Sequence, residues 1–149
     1  MFALNLPSFE ANITNVNNQA QIFDILRRRY VALTPEDWVR QHFIHYLIEH
    51  KHYPASLLAN EITIQLNGMD RRCDSVLYNT KGQPIMIMEY KRPSVKISQK
   101  TFSQILSYNN VLKVNYIIVS NGLEHYCCHI DYTTLKATYL KDIPEYLSL

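Results

Sequence analysis

The stretch Arg71-Arg72-Cys73-Asp74-Ser75-Val76-Leu77-Tyr78, followed by Asn79-Thr80-Lys81-Gly82-Gln83-Pro84 and then Ile85-Met86-Ile87-Met88-Glu89-Tyr90-Lys91, decides the fold. Two apolar, β-prone runs flank a short cluster of turn residues, which is a hairpin signal. Folding the chain about Lys81-Gly82 sets Asp74 opposite Glu89. Strand alternation then puts Lys91 on the same side as Glu89. Ile85 to Met88 is apolar on both faces, so this arm belongs in the middle of a sheet. Two carboxylates and an ammonium thus converge at one end of an apolar hairpin, where charge is costly unless it is paired or binds a metal.

Working outward, Thr34-Pro35-Glu36-Asp37 is a helix start: Thr as N-cap, Pro at the first helical position, acids in the first turn. The helix continues to His50, with Val39, Phe43, Tyr46, Leu47 and His50 recurring at helical spacing towards the core. Leu58 to Leu66 alternates around Ile62, Ile64 and Leu66 and predicts a first strand, and Asn67-Gly68 a tight turn. After Pro93 a second helix is expected from Ser98 to Asn110. Tyr116-Ile117-Ile118-Val119 reads as a buried strand, and His125 to Ile130 and Ala137 to Leu140 as further strands. Asp142 to Glu145 should begin a terminal helical turn. Residues 1 to 20 are weakly patterned and read as an extended lead-in, with a short helix from Gln19 to Arg28. The expectation is an α/β protein with a mixed β-sheet flanked by helices in the order αβββαβ plus C-terminal strands. The strands on either side of the second helix are parallel, joined by a right-handed crossover. Residues 1–149 read as one domain, with 1–33 as an N-terminal extension.

Composition narrows the class. Apolar residues at 47% and charged residues at 19% describe a globular chain rather than a disordered one. Eleven tyrosines and five phenylalanines suit a sheet-containing core. A net charge of +2 neither demands nor excludes a polyanionic partner. No apolar run reaches the length of a membrane span, and the N-terminus lacks a signal-peptide pattern, so a cytoplasmic location is the default expectation. Cys73, Cys127 and Cys128 are an odd number, which argues against a disulfide framework. His125, Cys127, Cys128 and His129 invite a zinc reading. Adjacent cysteines in a strand point to opposite faces, however, and no Cys-x-x-Cys pair exists, so buried thiols are expected.

The hairpin constellation fits magnesium-dependent phosphodiester hydrolysis, with manganese able to substitute. Magnesium takes hard oxygen ligands, often one or two carboxylates completed by water and phosphate oxygens. Asp74 and Glu89 supply the carboxylates, and the Tyr90 backbone carbonyl a third protein oxygen. Lys91 supplies positive charge to orient water or stabilise the transition state. Two readings stay open for Glu61: a further metal ligand, or an acceptor of hydrogen bonds from Arg40 or Arg72. Arg71 and Arg72 either bind phosphate or neutralise nearby carboxylates. Arg92, Lys96 and Lys100 follow the motif and are either phosphate contacts or ordinary charged surface.

Asp74…Glu89-Tyr90-Lys91 resembles the motif of the PD-(D/E)xK phosphodiesterase superfamily, with Cys73 standing where a proline is usual. Gln104-Ile105-Leu106-Ser107-Tyr108 matches the Gln-x-x-x-Tyr motif of several of its branches, whose i, i+4 side chains share a helix face. The resemblance implies that Gln104 and Tyr108 sit beside the site and contact nucleic acid. A likeness covers nearly the whole chain: Thr34-Pro35-Glu36…Val39-Arg40-Gln41, Tyr53-Pro54…Glu61, Arg71-Arg72-Cys73-Asp74, Ile87 to Pro93, Gln104…Tyr108-Asn109 and Ser120-Asn121-Gly122 occur in order. It resembles the N-terminal nuclease domain of type I restriction enzyme R subunits, which implies a restriction-endonuclease-like core and magnesium-dependent DNA cleavage. Those subunits continue into a helicase motor. No Gly-x-x-x-x-Gly-Lys-Ser/Thr sequence is present, so ATP-driven translocation is not expected of these residues. The expected partners are DNA, a second copy of the chain, or separate motor and specificity subunits. The alternative to an endonuclease is a non-catalytic nucleic-acid-binding or assembly module that keeps the fold.

Overall fold

The computed structural model describes residues 3–66 and 68–149, with the side chains of 66, 69 and 107–112 outside that description. The Asn67-Gly68 turn therefore falls partly on a residue outside the described ones. Three short strands come first: β1 (Ile13–Val16), β2 (Gln19–Asp24) and β3 (Arg29–Ala32), a small antiparallel sheet in that order. Helix α1 (Pro35–His50) follows, then β4 (Leu58–Leu66), β5 (Met69–Tyr78) and β6 (Pro84–Tyr90). Helix α2 (Gln99–Leu112) leads to β7 (Tyr116–Ser120), β8 (His125–Asp131) and β9 (Lys136–Leu140). A single 3-10 turn, Tyr146–Ser148, closes the chain slightly later than the sequence implied.

The large sheet has six strands in the order β4-β5-β6-β7-β8-β9. All neighbours are antiparallel except β6 and β7, which run parallel across the α2 crossover, as the expected order required. On one face Met86 and Met88 of β6 pack with Val39, Phe43 and Leu47 of α1. On the other, Ile87 packs with Phe102 and Ile105 of α2. An apolar strand covered on both sides is the physical reason that Ile85 to Met88 shows no polar alternation. Cys127 and Cys128 divide between the same two faces, both buried, with burial pushing the Cys127 thiol up to about 12. Among the described residues no group of three or more His, Cys, Asp or Glu is placed to hold a metal ion, so the zinc reading finds no support. No described helix is long and apolar enough to cross a membrane.

The β5–β6 register runs Ser75 with Met88, Val76 with Ile87 and Leu77 with Met86, which continues to Asp74 opposite Glu89. A bulge between Leu77 and Tyr78 absorbs the turn. There Asn79 Oδ1 accepts from the backbone N–H groups of Lys81 and Gln83, both at 2.9 Å, and Gly82 takes φ +76°.

The N-terminal reading needs correction. Gln19 to Arg28 is a strand and a turn, not a helix. Asn17 and Asn18 both adopt positive φ, 50° and 63°, the conformation a two-residue hairpin demands and one that asparagine tolerates. Asp24 then closes the next turn, its Oδ1 accepting from the N–H groups of Leu26 and Arg27 at 2.9 Å each. His50, expected in the core, is exposed at the end of α1.

The start of α1 is as expected. Thr34 Oγ1 accepts from the Asp37 N–H at 3.1 Å, with Pro35 opening the helix. Thr34→Ala should cost about 1 kcal/mol, the usual value of an N-cap. Chemical denaturation of the two proteins would measure it as a shift in midpoint at unchanged slope.

Candidate active site

Asp74, Glu89, Tyr90 and Lys91 line one cleft of about 370 Å³ at the middle of β5 and the C-terminal end of β6. The N-terminal turn of α1 forms the opposite wall with Asp37 and Arg40, and Glu61 of β4 completes it. A second hollow, lined by Ile97, Phe102, Tyr126 and Tyr139, is more apolar and carries no carboxylate.

A break in strand regularity builds the acidic end. The pairs Asn60 with Ser75 and Ile62 with Cys73 place Glu61 opposite Asp74. On a regular strand, residues two apart share a face. Here Leu58 and Leu77 pack on the α1 side, whereas Ile62, Ile64 and Cys73 pack on the α2 side. The hairpin therefore rolls over at the Glu61–Asp74 pair. Glu61 carries the change, with φ at +54°, a left-handed conformation uncommon for a residue with a Cβ. Strain of this kind tends to persist at functional sites, where the surroundings enforce it.

The charges interlock. Tyr90 N–H donates to Asp74 Oδ2 at 2.8 Å, and the Arg40 guanidinium stands 3.9 Å from Asp74 Oδ1. Arg71 Nη2 donates to Glu89 Oε1 at 2.8 Å. Burial and the adjacent Asp74 carboxyl, itself within hydrogen-bonding contact of Glu89, push the Glu89 carboxyl up to about 8. Arg71 and Lys91 oppose that rise without cancelling it. Two carboxyls held this close, one disfavouring the charge of the other, present oxygens that could share a cation. Their oxygens are the hard donors that magnesium takes, one or two carboxylates at a time, with water and phosphate filling the rest. Asp74 and Glu89 are accordingly the residues that could hold such an ion.

Glu61 is held differently. Arg40 Nη2 donates to its Oε1 at 2.6 Å, and Arg72 reaches its Oε2 through Nε at 2.8 Å and Nη2 at 2.6 Å. Burial raises the Glu61 pKa, but the two guanidiniums outweigh it and the net shift is downward. Of its two readings, the hydrogen-bond acceptor describes this geometry, with both arginines engaged. Arg40 is nearly buried, and desolvation is outweighed by Asp37 and Glu61, so its pKa is raised. Its guanidinium also lies over the Tyr90 ring, 5.8 Å from the centroid.

The structure thus brings together Asp74, Glu89, Tyr90, Lys91 and Glu61. Arg72 adjoins through Glu61 but is mostly exposed. Arg92 and Lys96 are exposed and do not line the cleft. Gln104 is exposed on α2 and is likewise outside the cleft lining. The Tyr108 side chain lies outside the described residues. Sequence reading gave Arg40 no place of its own at the site. It entered only as a candidate donor to Glu61, which the structure shows it to be, and as part of the family likeness.

A family model described as the N terminus of the type I restriction enzyme R protein matches residues 35–144. The chain belongs to that family. This R protein N-terminal region takes in α1 and all six strands of the large sheet, hence every cleft residue except Thr34, while β1–β3 precede it. Among solved structures, a fragment assigned to the HsdR subunit of a type I restriction enzyme from Vibrio vulnificus YJ016 is similar, with a TM-score of 0.53 and 23% sequence identity. The likeness covers 78% of this chain and 25% of that one, so the chain spans about a quarter of its relative, and at this identity the likeness speaks for the fold. No curated protein matches.

Proposed function

We propose that the chain is a magnesium-dependent DNA endonuclease domain of the PD-(D/E)xK type, related to the N-terminal region of R subunits. The observation that carries this reading is the meeting of the Asp74 and Glu89 carboxyls with Lys91 in one cleft. Membership of the R protein N-terminal family supports it. Bound magnesium would polarise the scissile phosphate and lower the pKa of a water molecule. Asp74 and Glu89 would hold the ion, with the Tyr90 carbonyl as a further protein oxygen. Lys91 places positive charge where negative charge grows in the transition state. Arg40 and Arg71, each beside one of the two acids, limit repulsion before the ion arrives. One such site cuts one strand, so a double-strand break requires a second copy or a second visit. DNA is the substrate proposed, and motor and specificity subunits the proposed assembly partners.

The competing reading is a nucleic-acid-binding or assembly module without catalysis. What favours it is that Arg71 and Arg40 already stand beside the two acids. Incubating supercoiled plasmid with the protein and magnesium separates the two. The wild type should nick, and Lys91→Ala should nick on the order of 10²- to 10³-fold more slowly, the scale of losing one preorganised charge at a transition state. Nicking at equal rates by both would remove Lys91 from the mechanism, and absence of nicking by the wild type would favour the module.

A further inference from the structure

We propose that the small N-terminal sheet is part of the same site, with Asp24 and Arg27 as positioning residues that fix both oxygens of Asp74 from a distance. The catalytic meaning of this rests on the nuclease reading above. The hydrogen-bond and ion-pair geometry does not.

The first route is a one-way chain of hydrogen bonds through the core. Tyr90 OH donates to Ser75 Oγ at 2.9 Å, Ser75 OH donates to Asn60 Oδ1 at 2.6 Å, and Asn60 Nδ2 donates to both oxygens of Asp24 at 3.2 and 3.1 Å. Asp24 and Ser75 are fully buried, and Asn60 and Tyr90 are 4% exposed. The direction is fixed because the far end is an acceptor. Asp24 also accepts from Leu26 N–H, Arg27 N–H and Arg27 Nε, the last at 2.6 Å. Holding the Tyr90 ring by its hydroxyl orients the residue whose own N–H is bonded to Asp74 Oδ2.

The second route is a series of largely buried ion pairs along α1. Arg27 Nη2 lies 3.8 Å from Asp37 Oδ1, and Arg40 Nη1 lies 3.2 Å from the same oxygen. Arg40 Nη2 then reaches Glu61 at 2.6 Å and stands 3.9 Å from Asp74 Oδ1. The two routes leave one salt bridge, Asp24–Arg27, and arrive at the two oxygens of one acid. Ile22 of β2 is fully buried and Leu26 packs against the α1 cluster, so apolar side chains already attach the sheet and the polar chain does more than that. A buried polar chain is costly unless every member is satisfied, and when satisfied it specifies a single geometry.

Hydrogen exchange of the full-length, metal-free protein, followed residue by residue by NMR, tests this. Asp24→Asn puts an amide donor where donors already point. Ser75→Ala cuts the chain in its middle and leaves the Asp24 turn intact, so it serves if Asp24→Asn does not fold. Both should lower protection of the Tyr90 amide by about tenfold relative to the Met88 amide in the same variant, and weaken Mn2+ binding by about 10- to 100-fold, the range for residues that orient a metal ligand. General destabilisation would lower both amides together. If Tyr90 protection tracks Met88 in both variants, the positioning role is overturned. If Tyr90 responds but the wild type binds no Mn2+, the link between the sheet and the site stands and the nuclease reading is what fails.

Discussion

Asp74→Ala should leave a folded protein that no longer cuts, with magnesium-dependent nicking lower by at least on the order of 10³-fold, the upper range for losing one preorganised electrostatic element. The effect is large because Asp74 sits where three supports meet. Its Oδ2 takes the Tyr90 N–H, its Oδ1 faces Arg40, and its carboxyl adjoins that of Glu89. Removing it deletes one of the two carboxylate donors and frees the Tyr90 peptide at once. The fold should survive, since Arg40 keeps its pairs with Asp37 and Glu61. Loss of the neighbouring charge should also let Glu89 titrate lower, because Asp74 is one of the forces that push it up. Plasmid nicking and a carboxyl titration by NMR on the same variant would check both parts.

The hairpin at the centre of this prediction is legible in the sequence alone. Its apolar arms, its turn residues and the pairing of Asp74 with Glu89 follow from period-two alternation, which is local. The crossover to a parallel β7 followed from the intervening helix. What stayed hidden depends on contacts between distant segments. Glu61 in a left-handed conformation at the middle of β4 has no local signature, since glutamate rarely takes it. The burial of Arg40 is set by Asp37, Glu61 and Tyr90 together, from three elements. The stretch Gln19 to Asp24 carries too few apolar residues to declare a period. The Asn17-Asn18 turn settled it as a strand. Asp24 fell within the expected helix and is instead fully buried, hydrogen-bonded to Asn60.

Glu89→Gln should make the metal-free protein more stable while abolishing metal binding and cutting. In the folded, metal-free state burial, and then Asp74, disfavour the charge of the Glu89 carboxyl and push it up from an ordinary 4.5 to about 8. Between those pH values the folded protein holds a proton that the unfolded chain lacks. Stability contributed by that proton is complete below about pH 4.5 and is lost as pH rises through about 8, amounting to a few kcal/mol. Glutamine removes the dependence. His42 and His125, whose pKa values burial pushes down, give the opposite slope at lower pH, and both are present in either protein. The quantity to measure is therefore the difference between the two stability curves from pH 5 to 9. It should widen with pH in favour of Glu89→Gln and level off near pH 9. Magnesium should close it by stabilising only the wild type, more strongly at pH 8 than at pH 6, since binding the ion displaces the proton. A flat difference would mean that Arg71 and Lys91 fully offset burial and Asp74, leaving Glu89 ionised throughout this range with no proton for an ion to displace.

The central claim is that Asp74 and Glu89 form one cation site. Calorimetric titration of Mn2+ or Mg2+ into the wild type, Asp74→Ala and Glu89→Gln tests it most directly. One ion should bind per wild-type chain, with proton release that grows as pH falls below 8, and neither variant should bind in the same range. Binding retained by both variants, or absent from the wild type, would contradict the account.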